Sequence, residues 1–301
     1  RLYALGRKFQ YRPTPSEQST PQPKKEKYKS LANRLRAHIK HFEERYPKIW
    51  REIDRLRSER GRSLPNWPDW CFVPLSVSIE MIRLRYPEQE TWRTITDAAI
   101  LSALSAWRVT QGIYDFHPEL FARLVETPLD GELPVALFDH MPEWCCYLSF
   151  GGQTLGDPIP QDAKGAFGFL EHDLNTGRRE LRFLIDADDE DGAPRFLPVV
   201  LHLGGERTTI DEALRSFAQY VRQNIAQGGP PDLPVPEDVE ETTEVMGLAA
   251  RPLVSLLLYL CSANAEIRHE KDPSRKPGER PAGKRVKGGI RFFPPEEASH
   301  W

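Results

Sequence analysis

Cysteine is scarce in this chain: 4 in 301 residues, with Cys145 and Cys146 adjacent and no C-x-x-C pair. So few thiols make no disulfide framework at this length, and a zinc centre would have to be assembled from scattered residues. The 8 histidines show no paired ligand spacing either, so no metal and no cofactor is expected. Equally absent are G-x-S-x-G, Walker and G-x-G-x-x-G phrases, which leaves no nominated nucleophile and no phosphate cradle. No signal peptide is evident, and the longest apolar run, Leu253 to Cys261, falls short of the roughly 20 residues that span a bilayer. A cytoplasmic protein without a membrane partner is the expectation. The first residue is Arg1 and not Met, so the sequence is expected to begin inside a longer gene product.

What is present describes a globular chain, with 39% hydrophobic and 28% charged residues, enough apolar material for a core. The net charge of -3 conceals a division. From Lys24 to Arg62 there are 14 Lys/Arg against 6 Asp/Glu, and from Glu266 to Arg291 there are 9 against 4. From Asp186 to Glu244 the count reverses, 4 against 14. Basic ends around an acidic middle steer partners of opposite sign. Composition divides the chain into a mobile Pro/Lys-rich segment (1–29), a basic amphipathic helical region (30–62), a core domain (63–265) and a basic extended tail (266–301).

Leu31, Leu35, Ile39, Phe42, Tyr46, Ile49, Ile53 and Leu56 recur at helical spacing, with Pro47 expected to kink or split the helix after Tyr46. Arg34, Lys40, Arg51, Arg55 and Arg62 are assigned to the opposite, solvent face. Further helices are predicted over Ser76–Arg85, Thr94–Thr110 and Pro118–Val125, with Gly112 as a left-handed cap on the second. The period then changes, and Leu133–Phe138, Trp144–Phe150, Gly165–His172, Glu180–Ile185 and Phe196–Leu203 read as strands. Asn175-Thr176-Gly177 makes a hairpin turn, and Thr209 to Glu212 fits a capping box that opens another helix. An acidic Pro-rich linker, Gly228 to Val239, precedes a last helix from about Pro252 to Ala263. N-terminal helices, a central antiparallel meander sheet, then C-terminal helices and an extended basic tail define an α+β fold.

One phrase is written twice. Pro68-Asp69-Trp70-Cys71-Phe72-Val73 returns as Pro142-Glu143-Trp144-Cys145-Cys146-Tyr147, with Trp107-Arg108-Val109-Thr110-Gln111-Gly112-Ile113-Tyr114 between the copies. As structure, both copies read as core strands entered through Pro and anchored by Trp. As function, Asp69 and Glu143 accept hydrogen bonds from Arg108 or from a ligand at the strand mouths. Trp70, Trp107, Tyr114 and Trp144 are aromatic anchors for a peptide, with Arg108, Thr110 and Glu143 as polar contacts. Replacing Arg108 with Ala is then expected to abolish binding without unfolding.

Two charged regions offer other chemistry. The run Asp186 to Gly192 fails the register of a calcium loop, because Leu197 stands where the bidentate Glu belongs. Asp186, Asp188 and Asp189 leave a two-carboxylate Mg2+ ribonuclease as one alternative. Lys24, Lys25, Arg51 and Arg55, with Arg275, Lys276, Arg280, Lys284 and Arg285 of the tail, are candidate phosphate contacts, and Phe292, Phe293 and Trp301 candidate base stackers. A plain nucleic-acid-binding accessory protein of a mobile element is the other alternative.

Ile100-Leu101-Ser102, the Trp107 to Tyr114 phrase and Pro142-Glu143-Trp144-Cys145 with Tyr147 resemble the type V-A anti-CRISPR family and its phage, plasmid and chromosomal relatives. The order of elements from about Ile100 to Lys287 is similar as well. The resemblance implies a protein that leaves the assembled nuclease alone. It implies instead recognition of the effector polypeptide during translation, with loss of its messenger RNA. A regulatory binding protein rather than an enzyme follows, with the effector or another target protein, the ribosome and mRNA as partners. The resemblance does not extend to the helical region Ser30 to Arg62, which is not matched to the anti-CRISPR member, and relatives continue beyond the position of Trp301.

Overall fold

In the computed structural model, residues 24–227, 239–267, 282–286 and 289–293 are described. The candidate contacts Arg275, Lys276 and Arg280, the stacker Trp301 and most of the segment 1–29 lie outside them. Apolar residues at spacings of three and four build α1 (Lys24–Arg45) and α2 (Ile49–Glu59), and the helix breaks at Pro47 as predicted. The chain turns there through Lys48 in the left-handed region, φ 67°. Then come α3 (Leu75–Arg85) and α4 (Thr91–Thr110), strand β1 (Ile113–Asp115), and α5 (Pro118–Glu126). Strands β3 (Cys145–Ser149), β4 (Gly165–His172), β5 (Arg179–Asp188) and β6 (Pro194–Leu203) form the antiparallel meander. The short β1 joins it at the edge, parallel to β3.

Helices cover the sheet on both faces. Alternate residues on β4 divide cleanly: Ala166 and Leu170 join a cluster with the C-terminal helices, Phe167 and Phe169 one with the N-terminal helices. Strands buried on both sides read as continuous apolar runs, which is why these were legible as strands but not as faces. The first cluster takes in α5, α6 (Ile210–Ala226) and α7 (Val239–Cys261), and the second takes in α1 to α4. Residues 30–62 thus supply buried Leu35, Phe42, Tyr46, Ile53 and Leu56 to the same core as Trp107 and Phe167.

Several expectations are corrected. Residues 133–138 are not a strand: Leu133–Pro134 (β2) pair with Arg207–Thr208 (β7), and a 3-10 helix, Val135–His140, follows. Proline ahead of that turn holds the extended backbone to two residues. The last helix starts at Val239, well before Pro252, which sits inside it. Pro252 gives up only the bond to the carbonyl of Leu248, an exposed residue. At 23 residues α7 has the length and apolarity of a membrane span, contrary to the short run read from sequence, yet 67% of its most apolar window is buried in the core. The capping box is present: Thr209 donates its N–H to Glu212 at 2.8 Å and receives that of Glu212 on Oγ1 at 3.1 Å.

Beyond the core, β8 (Ala282–Val286) and β9 (Gly289–Phe293) form a hairpin, and β9 runs against α2.

Candidate functional site

The repeated phrase meets itself in space, but its copies differ. The second enters β3, whereas the first, Pro68 to Val73, is a loop with no strand, so the expectation of two core strands is half right. Trp144 donates its indole N–H to the carbonyl of Asp69 at 2.7 Å, and its ring meets Phe72 edge-on at 5.3 Å. Arg57 of α2 fastens the pair. Its guanidinium lies 4.7 Å from the centre of Phe72 and 4.8 Å from that of Trp144, while donating to the carbonyls of Cys71 (3.0 Å) and Phe72. Arg57 is buried and was not singled out from sequence, where nothing marks which arginines of a basic helix turn inward.

The phrase between the copies closes over Glu143. Thr110 donates its hydroxyl to Glu143 Oε2 at 2.5 Å, and Tyr114 its phenol to Oε1 at 3.1 Å. Burial, the neighbouring Cys146 and the Glu143 charge all push the Tyr114 phenol up, so it remains a donor. Gly112 leaves the room in which the Glu143 carboxylate sits. A Cβ would overlap the Glu143 carboxylate, and the left-handed cap of α4 is Gln111 (φ 54°), not Gly112 as expected. The Gly112 carbonyl accepts from Trp107 Nε1 (2.9 Å) and from the Tyr147 N–H (3.2 Å), tying helix end to strand.

Thr110, Tyr114, Glu143 and Trp144 therefore gather at the end of the sheet where β3 begins. Trp70 stands at the same end, half-buried, with the Arg179 guanidinium 4.4 Å from its ring centre and the His172 ring at 5.6 Å. Arg179 also pairs with the exposed Asp139 at 3.0 Å. Trp107 and Trp144 are 1% and 6% exposed, so they shape this surface from inside rather than touching a ligand. Arg108 is elsewhere: it pairs with Asp54 of α2 and lies 5.5 Å from the centre of the Trp50 ring. Neither Glu143 nor Asp69 accepts from it, and Asp69 pairs with Arg60.

At the opposite end of the sheet the acidic run is held by protein cations. Asp186, fully buried, accepts from Arg34 (Nη2 2.7 Å, Nε 3.0 Å) and from the Tyr147 hydroxyl at 3.0 Å, with His38 Nε2 at 3.6 Å. Burial opposes its ionisation, but hydrogen bonding to His38 and the charges of His38 and Arg34 hold its carboxyl well below the usual range. Gly165 makes the reach of Tyr147 possible, because a Cβ there would collide with the phenol ring and with the Leu148 carbonyl. Asp188 is shared by Arg34 Nη1 (2.7 Å) and Lys164 Nζ (3.2 Å). Asp189 caps its own turn, accepting from the Asp191 and Ala193 N–H groups. Guanidinium and ammonium groups thus occupy the Asp186 and Asp188 carboxylates that a divalent cation would need open. Arg34, expected on the solvent face, is turned inward to supply that charge.

Of the candidate phosphate contacts, Arg51 is exposed, and Arg55, also exposed, pairs with Glu52 at 3.1 Å. Lys24 and Lys25 open α1, and Lys284 and Arg285 lie on β8. All four cysteines are buried, and burial pushes the Cys71, Cys145 and Cys146 thiols up.

No curated protein is significantly similar to the chain. Among solved structures, the crystal structure of AcrVA2 superposes with a TM-score of 0.51 at 19% identity, covering 80% of this chain and 75% of that one. That likeness establishes the fold. The AcrVA2-like family, described as the anti-CRISPR type V subtype A2 family, matches residues 114–301, which takes in all but the first residue of β1, Glu143, the whole meander and the C-terminal helices. The chain belongs to the AcrVA2-like anti-CRISPR family.

Proposed function

We propose that this protein is an anti-CRISPR regulator that recognises its target as a polypeptide, the type V-A effector nuclease, and lowers its production through loss of the message during translation. Family membership carries the reading. The sheet end around Glu143 supports it chemically. The Glu143 carboxylate is held by Thr110 and Tyr114, and the same end of the sheet carries a half-buried Trp70 with the Arg179 guanidinium against its ring. An aromatic ring next to fixed charges is the composition of a peptide anchor, and preorganisation of this kind lowers the entropic cost of binding.

In this reading Trp70, Tyr114, Thr110 and Glu143 touch the peptide, Trp107 and Trp144 support them, and Arg108 holds α4 against α2. The test is capture of the effector polypeptide from a translating extract on the immobilised full chain, with and without RNase. Capture that survives RNase and falls at least tenfold with Trp70→Ala or Glu143→Ala, both variants melting as the parent does, is the expected result. Capture lost with RNase, or unchanged in both variants, would remove polypeptide recognition from this surface.

A further inference from the structure

Helices α6 and α7 lie side by side, and the seam between them opens to solvent as a groove of about 790 Å3. Leu214 and Ala218 of α6, both buried, form its floor with Gly247 of α7. Gly247 lets the helices meet closely, because a Cβ there would stand 3.2 Å from Leu214 Cδ1. On the rim, Leu248 is 57% exposed.

Charge gives the groove a pattern. Asp211 of α6 pairs with Arg251 of α7 at 2.6 Å, and Arg222 of α6 pairs with Glu240 of α7. The two pairs run in opposite chain order, so the helices are antiparallel. On each helix the paired residues stand eleven apart, roughly 16 Å along the axis. Between the pairs lie Arg215 on α6 and Glu244 on α7, both exposed. The Arg215 guanidinium donates to the carbonyl of Asp211 at 3.3 Å, and its charge acts on Glu212, whose carboxylate already serves the capping box. Glu244 has no ion pair among the described residues. Each of these cations thus stands within about a turn of an anion on the other helix.

Such a pattern is complementary to itself. A two-fold axis parallel to the helices lays α6 of one molecule over α7 of another, at the same height along the seam. Asp211 then faces Arg251, Arg222 faces Glu240, and Arg215 faces Glu244, each contact occurring twice. The same operation sets the exposed Leu248 of each copy over the Leu214 end of the other groove. An unrelated protein would have to reproduce this alternation of charge, whereas a second copy carries it already.

We propose that the α6–α7 face joins two copies of this chain as a symmetric dimer in solution. The inference uses no residue of the sheet end at Glu143 and does not rest on polypeptide recognition. A largely polar contact of this kind weakens as salt screens its charges.

The test is sedimentation velocity of the purified full chain at low salt, over roughly 1 to 100 μM, the weak end of specific interfaces. The parent is expected to dimerise, and R215E or E244R alone to weaken association at least about tenfold, since like charges then meet at both contacts. An equimolar mixture of the two variants should recover the dimer, because each variant meets the opposite charge at both contacts of the other. Both substitutions alter exposed side chains, so both variants should keep the parent melting temperature and the parent capture of effector polypeptide. A change in either would mark a folding fault or bear on the polypeptide reading, and the recovery of the dimer on mixing distinguishes these from the dimer contact. A parent that stays monomeric throughout the range, variants that dimerise as the parent does, or a mixture no more dimeric than its components would overturn the proposal.

Discussion

Two buried carboxylates on the face of the sheet that meets α1 to α4, Asp186 on β5 and Glu171 on β4, have opposite fates. Both are almost wholly inaccessible, at 0% and 2% exposure, and burial opposes ionisation of both. Asp186 meets Arg34, His38 and a phenol, and stays ionised far into acid. Glu171 receives the N–H groups of Leu75 (2.7 Å) and His172 (3.1 Å), and burial pushes it up to about 8 despite the Arg182 charge. The difference lies one strand away. Glu180, directly opposite Glu171, takes both guanidinium groups, with Arg182 at 2.6 Å and Arg178 at 2.8 Å, and is held below the usual range although burial opposes it. One carboxylate of the cross-strand pair is charged and the other neutral, because two adjacent buried negative charges cannot both be compensated. A buried acid therefore says little until its cations are counted: Asp186 locks α1 to the sheet, while Glu171 caps the start of α3 as a neutral group.

The sharpest way to break this contrast is Asp186→Asn. It removes the buried carboxylate that Arg34, His38 and Tyr147 share, leaving Arg34 with Asp188 alone, and is expected to cost about 3 kcal/mol by denaturant unfolding. Glu180→Gln comes next, at about 2–3 kcal/mol, since Arg178 and Arg182 reach solvent in part and recover some hydration. Tyr147→Phe removes one hydrogen bond to Asp186 and should cost about 1 kcal/mol. Smallest at neutral pH is Glu171→Gln, below about 1 kcal/mol, because the amide oxygen can still accept from Leu75.

The pH dependence separates the two sites. For Glu171 the folded state holds its proton more tightly, so its contribution is complete below the ordinary carboxylate range and is lost as pH rises through about 8. Asp186 works the other way: its contribution is present above the unfolded value of 3.8 and is lost as pH falls below it. A stability–pH profile of Glu171→Gln should therefore be flatter between about pH 5 and 8, with the acid limb unchanged. A parent-like slope in that window would return Glu171 to the ionised state.

Elements set by local chemistry were legible. The Pro47 break, the hairpin at Asn175 to Gly177, the Thr209 capping box and the four meander strands all follow from residues within a few positions of one another. Elements set by distant partners were not. Arg34 turns inward because Asp186, 152 residues away, needs a cation, and nothing near Arg34 records that. The two P-x-W-C phrases look alike, yet only the second has a strand to pair with, so the first remains a loop held by Arg57. Gly112 sits where a helix cap is expected, but it is there to make room for Glu143. At the candidate site, Thr110, Tyr114, Glu143 and Trp144 were legible as a group because one strand and one helix end bring them together. Arg179 and Asp139, which frame Trp70, carry no motif.

The measurement that bears most directly on the function is the level of effector message in cells carrying this protein, compared between a translatable transcript and one with an early stop codon. Recognition of the polypeptide during synthesis predicts loss of the translatable message alone, with the Glu143→Ala variant sparing both. Equal loss of the two transcripts would contradict it and point to direct action on RNA.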